Sequence, residues 1–236
     1  MREVTRGPVD WELQKRARWM VREMNLGEEM APDELVMSEE GGLEEERPAN
    51  TEVTKGKEVL CIGAGKGHEM EAILQQFPGV NVTGIDPHDY YAPPVERRMR
   101  ERGEQVRYLH ETIHAGDLKD MPDASVDAAT LFFVLHHVDQ EEYPAVMAEL
   151  RRVMKANGKL FVAEDIVESD VERVVTERED RKMNLELMKH GPHNYRSTNE
   201  WRTFFDQEGF VMTRIKEIKP NKVRHGFFVL TRKQDV

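Results

Sequence analysis

The chain has one cysteine, Cys61, among its 236 residues. That excludes an internal disulfide framework and a cysteine-rich zinc module. Long apolar runs are missing as well: none approaches a membrane span, and the opening Met1-Arg2-Glu3 does not read as a signal peptide. There is no surplus of positive charge. The formal net charge is -11, which disfavours generic attraction to nucleic-acid phosphates. The densest basic stretch, Arg97, Arg98, Arg100 and Arg102, is interleaved with Glu96, Glu101 and Glu104 and reads as a solvated helix face. No internal repeat or low-complexity tract occurs. We therefore expect a soluble cytoplasmic protein, a monomer or homodimer, with neither membrane nor nucleic acid as a partner.

The chain is long enough for one α/β domain with a substantial core. In residues 9–26, Trp11, Leu13, Ala17, Met20, Val21 and Met24 recur at roughly helical spacing, which predicts an amphipathic helix. Residues 27–56 are polar, with Glu39, Glu40, Glu44, Glu45 and Glu46 around Gly41-Gly42, and read as a solvated linker or a flap over a ligand site. From residue 57 the pattern becomes regular. Strands are predicted at 58–62, 80–85, 105–109, 126–133, 158–165, 210–217 and 224–232, and helices at 67–77, 92–102, 141–155, 171–189 and 198–208. This alternation predicts a doubly wound, mostly parallel seven-stranded sheet closing in an antiparallel hairpin across Lys219-Pro220-Asn221-Lys222. The domain division is then 1–56 and 57–236.

A glycine turn lies between the first strand and helix, Val59 to Met70 (VLCIGAGKGHEM), and such a turn usually holds a nucleotide. A phosphate-binding P-loop requires Gly-Lys-Ser/Thr, but Lys66 is followed by Gly67, with no hydroxyl for magnesium. The dinucleotide fingerprint fits Gly63 and Gly65 but meets His68 where its third glycine belongs. The spacing present, Gly63-x-Gly65-x-Gly67, suits a ligand without phosphates that passes close to the backbone. Asp86 ends the second strand (NVTGIDP), where a carboxylate can accept both ribose hydroxyls. Asp117, between the third and fourth strands, can accept from an adenine amino group, and the Leu118 amide can donate to the ring.

Four ordered pieces, VLCIGAGKG, VTGIDP, AGDLKDMPDASVDAATLFFVLHHV and ELRRVMKANGKLFVAED, lie within residues 57–165. This region resembles the class I S-adenosylmethionine-dependent methyltransferases, particularly the type 11 group that includes the ubiquinone and menaquinone methyltransferases. The resemblance implies a Rossmann-like fold, S-adenosylmethionine as cofactor, and methyl transfer to a small-molecule oxygen, carbon or nitrogen nucleophile. It places Cys61, Gly63, Ala64, Gly65, Gly67, Asp86, Pro87, Asp117, Leu118 and Phe133 at the cofactor. A tRNA or protein acceptor, or a silent binding module, are the other readings. Two positions depart from the family pattern. Cys61 stands where the family carries an acid that helps hold the methionine amino group, and Glu52, Glu58 or an N-terminal acid are the substitutes considered. Ala156-Asn157-Gly158 replaces the usual proline-glycine-glycine turn.

Ligands of open parallel sheets bind at the carboxyl ends of the strands. That puts His136, His137 and Glu164 forward as catalytic residues, with Asp165, His190, His193, Tyr195 and Arg196 nearby. Tyr90 and Tyr91 either cover the adenine or pack on the sheet edge. The histidines and acids show no tight metal-ligand spacing, so no metal is expected.

Overall fold

Short apolar runs bounded by glycine and charge, such as EVLCI and VDAATLF, are what strands buried on both faces require. They build the centre of the sheet. A computed structural model describes Met24 and residues 54–88, 92–101, 106–110, 118–183, 193–219 and 222–233. In chain order these hold β1 (Glu58–Ile62), α1 (His68–Gln76), β2 (Asn81–Asp86), α2 (Ala92–Glu101), β3 (Val106–His110) and β4 (Val126–Phe132). A 3₁₀ turn (Leu135–His137) follows, then α3 (Tyr143–Val153), β5 (Met154–Ile166), α4 (Asp170–Met183), α5 (Thr198–Gln207), β6 (Phe210–Ile218) and β7 (Arg224–Arg232). The sheet order is β3-β2-β1-β4-β5-β7-β6. Strands β1 to β5 pair in parallel, while β7 runs antiparallel to both β5 and β6. The order reverses between β1 and β4, the switch point at which such sheets open a crevice.

Successive strand residues point to opposite faces, so the sheet divides two cores. One face carries Leu60, Ile62, Leu131, Leu160 and Val162 under Val146, Leu150, Trp201 and Phe205 of the helices. The other carries Cys61, Phe161 and Phe227 under Met70 and Ile73, with Met24 buried among them. Helix α5 starts at a capping box: Ser197 accepts from the Glu200 amide, and the Glu200 carboxylate accepts from the Ser197 amide.

The predicted strands and helices recur with small boundary shifts and two informative differences. The helix expected over 141–155 stops at Val153 because Met154, fully buried, already pairs with Val126 as sheet. The register then slips, so that Lys159 rather than Ala156 pairs with Ala128; the exposed Ala156 and Asn157 form an irregularity within β5 rather than a turn before it. Arg98 is not merely solvated. Its Nε donates to Glu71 Oε1 at 2.8 Å and its Nη2 to the Lys66 carbonyl at 2.5 Å, tying α2 to the glycine turn. The expected N-terminal helix apart from Met24, the 27–53 stretch, Tyr90, Tyr91, Asp117 and His190 lie outside the described residues. No helix among the described residues is long and apolar enough to cross a membrane.

Candidate functional site

The glycine turn takes its shape from its neighbours. Gly63 has φ 70°, and a Cβ there would stand 2.3 Å from Val134 Cγ2, so only glycine lets β1 leave the sheet under the β4 turn. Gly65 has φ 47°, and a Cβ built on it would meet only Asp86 Oδ2 and the Gly63 carbonyl, both at 3.9 Å, an ordinary contact distance. Its amide donates to Asp86 Oδ2 at 2.8 Å, and its carbonyl accepts from the Tyr108 hydroxyl at 2.7 Å. The other Asp86 oxygen accepts from the His88 amide at 2.9 Å. Asp86 is buried; its Oδ1 also lies 3.0 Å from His88 Nδ1, so the spare lone pair is on Oδ2. The turn is therefore clamped from β2 and β3, and the clamping carboxylate keeps capacity for a further donor on Oδ2.

Beneath the turn, Cys61, Glu69 and Thr130 meet in the core. The Thr130 hydroxyl donates to Glu69 Oε1. Burial pushes the Glu69 carboxyl up to about 7, against the opposing hydrogen bonds from Thr130 and Cys61. Burial, then the neighbouring Glu69, raises the Cys61 thiol well above its ordinary range. Cys61 is thus a buried, protonated thiol, not a stand-in carboxylate.

A second group forms where β4 and β5 end. The Glu164 side chain is fully buried, and its Oε1 accepts from the amides of Val134 at 3.1 Å and Leu135 at 2.7 Å. Its Oε2 lies 2.5 Å from His136 Nδ1. Asp180 approaches from α4: His136 Nε2 is 3.5 Å and His137 Nε2 4.0 Å from Asp180 Oδ2, which also accepts from the Tyr195 hydroxyl at 2.6 Å. Burial opposes charge on His136, but Glu164 and Asp180 outweigh it and push the ring up to about 10. His137 goes the other way, to about 3, through burial and the positive charge of His136. Burial works against the Asp180 anion, yet the facing His136 ring holds it well below the usual carboxylate range. On the opposite sheet face, Asp165 Oδ1 lies 2.6 Å from His225 Nδ1. The ring of Phe133, itself at φ 59°, stands edge-on to His225 with centroids 5.3 Å apart.

Residues 60–162 match the family described as methyltransferase domain. That match, within residues 60–162, is a resemblance to the methyltransferase family over less than half of the chain. The demethylmenaquinone methyltransferase of Tropheryma whipplei is 33% identical over 112 residues, covering 48% of this chain and 43% of that protein. Phenazine O-methyltransferase PhzM of Lysobacter antibioticus is 29% identical over 164 residues, covering 67% of this chain and 44% of that protein. The chain thus spans less than half the length of these curated relatives. Among solved structures, Burkholderia thailandensis 1,6-didemethyltoxoflavin-N1-methyltransferase, with bound 1,6-didemethyltoxoflavin and S-adenosylhomocysteine, superposes with a TM-score of 0.59. It is 17% identical, and the match covers 76% of this chain and 72% of that one.

Within the matched region, Gly63, Ala64, Gly65, Gly67 and Asp86 lie together at the turn, and Pro87 follows Asp86 at the exposed edge. Leu118 is buried, with its carbonyl accepting from Arg152 Nη2 at 2.7 Å, which anchors the entry to β4. Of the expected catalytic residues, His136 and His137 come together. Glu164 departs from the expectation that it meets substrate: its oxygens hold the 3₁₀ turn and orient His136 from below. Glu58, considered as a substitute acid, instead accepts from Asn81 Nδ2 at 2.6 Å at the far end of β1. The acid that does reach Cys61 is Glu69, in the first turn of α1. Sequence reasoning also passed over Tyr108, Asp180 and His225. Tyr108 carried one signal, an aromatic at the midpoint of a strand next to β2. The other two carried none, since their partners lie far away in sequence.

Proposed function

We propose that the chain is an S-adenosylmethionine-dependent enzyme transferring methyl groups to a small-molecule oxygen, carbon or nitrogen nucleophile. One observation carries this reading: the Gly63–Gly67 turn is held by a buried Asp86 at the end of β2, whose Oδ2 accepts from the Gly65 amide and keeps a spare lone pair. The residues fit the cofactor without phosphates to satisfy. In this reading Asp86 Oδ2 accepts from a ribose hydroxyl, Asp117 and the Leu118 amide meet the adenine, and Gly63, Ala64, Gly65 and Gly67 pass beside the methionine part with Phe133 and Pro87 at the rim. S-adenosylmethionine, when bound, supplies a methyl group on a sulfonium that is already a good leaving group. The protein's task is then alignment and exclusion of water.

His136, held charged between Glu164 and Asp180, orients the site and does not accept a proton near neutrality. His137, kept neutral, is the group we assign to the acceptor. Residues 57–236 form the catalytic domain, and residues 1–56 serve as helix and linker or flap beside it. The net charge of -11 supports a small acceptor over tRNA. It also fits a cytoplasmic monomer or homodimer.

Calorimetric titration with S-adenosylmethionine and S-adenosylhomocysteine tests the proposal. We expect both to bind and Asp86→Ala to weaken binding by roughly 100-fold, as loss of a hydrogen bond to a charged group implies. No binding at millimolar ligand refutes it, and binding of a dinucleotide instead would point to an oxidoreductase.

A further inference from the structure

His136 and His137 are neighbours on the 3₁₀ turn, and α4 delivers Asp180 to them from more than forty positions later in the chain. The ligand atoms of the three lie within 4.8 Å of one another. No spacing in the sequence announces this, because the third member arrives through the fold.

Proximity alone would be weak, but the surroundings point the same way. His136 Nε2 is buried with no hydrogen-bond partner, its side chain 1% exposed, and neither ring nitrogen of His137 has one. A buried polar atom left unpaired costs about 1–3 kcal/mol. Both Nε2 atoms approach one oxygen, Asp180 Oδ2, at 3.5 and 4.0 Å. An ion with bonds of about 2.0–2.2 Å in tetrahedral geometry separates its ligands by about 3.3–3.5 Å. Both separations are too long for good hydrogen bonds; the 3.5 Å separation meets a metal's requirement, and the His137 ring must move inward to meet it. Each ligand is also oriented from behind. Glu164 holds the Nδ1 side of His136, as a carboxylate does for a metal-bound histidine, and Tyr195 donates to Asp180.

We propose that His136, His137 and Asp180 bind one divalent transition-metal ion of the zinc type. Two imidazoles and one carboxylate suit zinc, cobalt or nickel rather than the all-oxygen shells of magnesium and calcium. The ion takes the place of the proton on His136 Nε2 and satisfies His137 Nε2. Three protein ligands leave a coordination position open, and its chemical class of ligand is an oxygen or nitrogen of the acceptor. Metal binding stands on the cluster's geometry; only the acceptor's place on the ion rests on the function proposed above.

The test uses the full chain, stripped by a chelator, then titrated with Zn²⁺ by calorimetry and with Co²⁺ by visible absorption. One equivalent should bind saturably with each ion. His137→Ala and Asp180→Asn should each weaken binding at least tenfold, and Glu164→Gln by roughly 10–100-fold. His193→Ala, beside the cluster, should leave it unchanged. His137→Ala is the decisive variant because His137 bonds to nothing that holds the fold, and an unchanged thermal melt confirms that. No saturable binding, or binding that survives His137→Ala within threefold, overturns the proposal. S-adenosylhomocysteine binding without metal binding overturns this inference alone, and the reverse result overturns only the methyltransferase reading.

Discussion

Replacing Gly63 with alanine tests how the glycine turn is built. Two separate costs apply. At φ 70° an alanine sits in the left-handed region, about 1–2 kcal/mol above its preferred conformation. Its Cβ would also overlap Val134 Cγ2 at 2.3 Å, and overpacking of this kind costs typically about 1–3 kcal/mol. Gly63→Ala should therefore lose about 2–5 kcal/mol in urea unfolding followed by circular dichroism, with the slope unchanged. Val134→Ala alone should lose about 1 kcal/mol by shortening a half-buried side chain. In the double variant the overlap is gone, so the pair should be more stable than the sum of the single effects by about 1–3 kcal/mol. The backbone term should persist. Additivity within about 0.5 kcal/mol would refute the steric account, and a neutral Gly63→Ala would refute both parts.

Other expectations follow from the same geometry. Tyr108→Phe removes the donor to the Gly65 carbonyl and should cost about 1 kcal/mol by urea unfolding, with a several-fold loss of S-adenosylhomocysteine affinity by calorimetry. Glu164→Ala strands two buried amides and leaves His136 facing Asp180 alone, so thermal melting should report a loss of about 3–5 kcal/mol. Glu69 binds its proton more tightly folded than unfolded. Its stabilisation is complete below about 4.5 and fades as pH rises through about 7, amounting to roughly 3 kcal/mol at most. Glu69→Gln should abolish this loss, gaining on the wild type between pH 5 and pH 8; parallel pH profiles in urea unfolding would count against a buried protonated Glu69.

The sheet was legible in the sequence because its strands are continuous apolar runs with glycine or charge at both ends. Asp86 was legible because it closes such a run at a fixed distance from the glycines. Boundaries gave way where pairing overrode local preference: Met154 reads as helix until Val126 is placed beside it. Side-chain partners were the least legible. Periodicity reports that residue 69 lies at the start of a helix and that residue 225 lies in a strand, but not that one meets Cys61 and the other Asp165. Glu164 shows the same gap. Its position at the end of β5 announced chemistry, whereas three hydrogen bonds make it a support for its neighbour.

The antiparallel insertion of β7 between β5 and β6 has a consequence during synthesis. β5 carries the most deeply buried run in the sheet, yet the strand that covers its outer edge comes after β6 in the chain. A nascent domain that has emerged only through β6 holds β5 as an apolar edge with free backbone donors and acceptors. Such an edge invites pairing with other chains. Truncation before Arg224 should reproduce that state permanently, yielding a protein that aggregates through β5 rather than one that merely lacks His225.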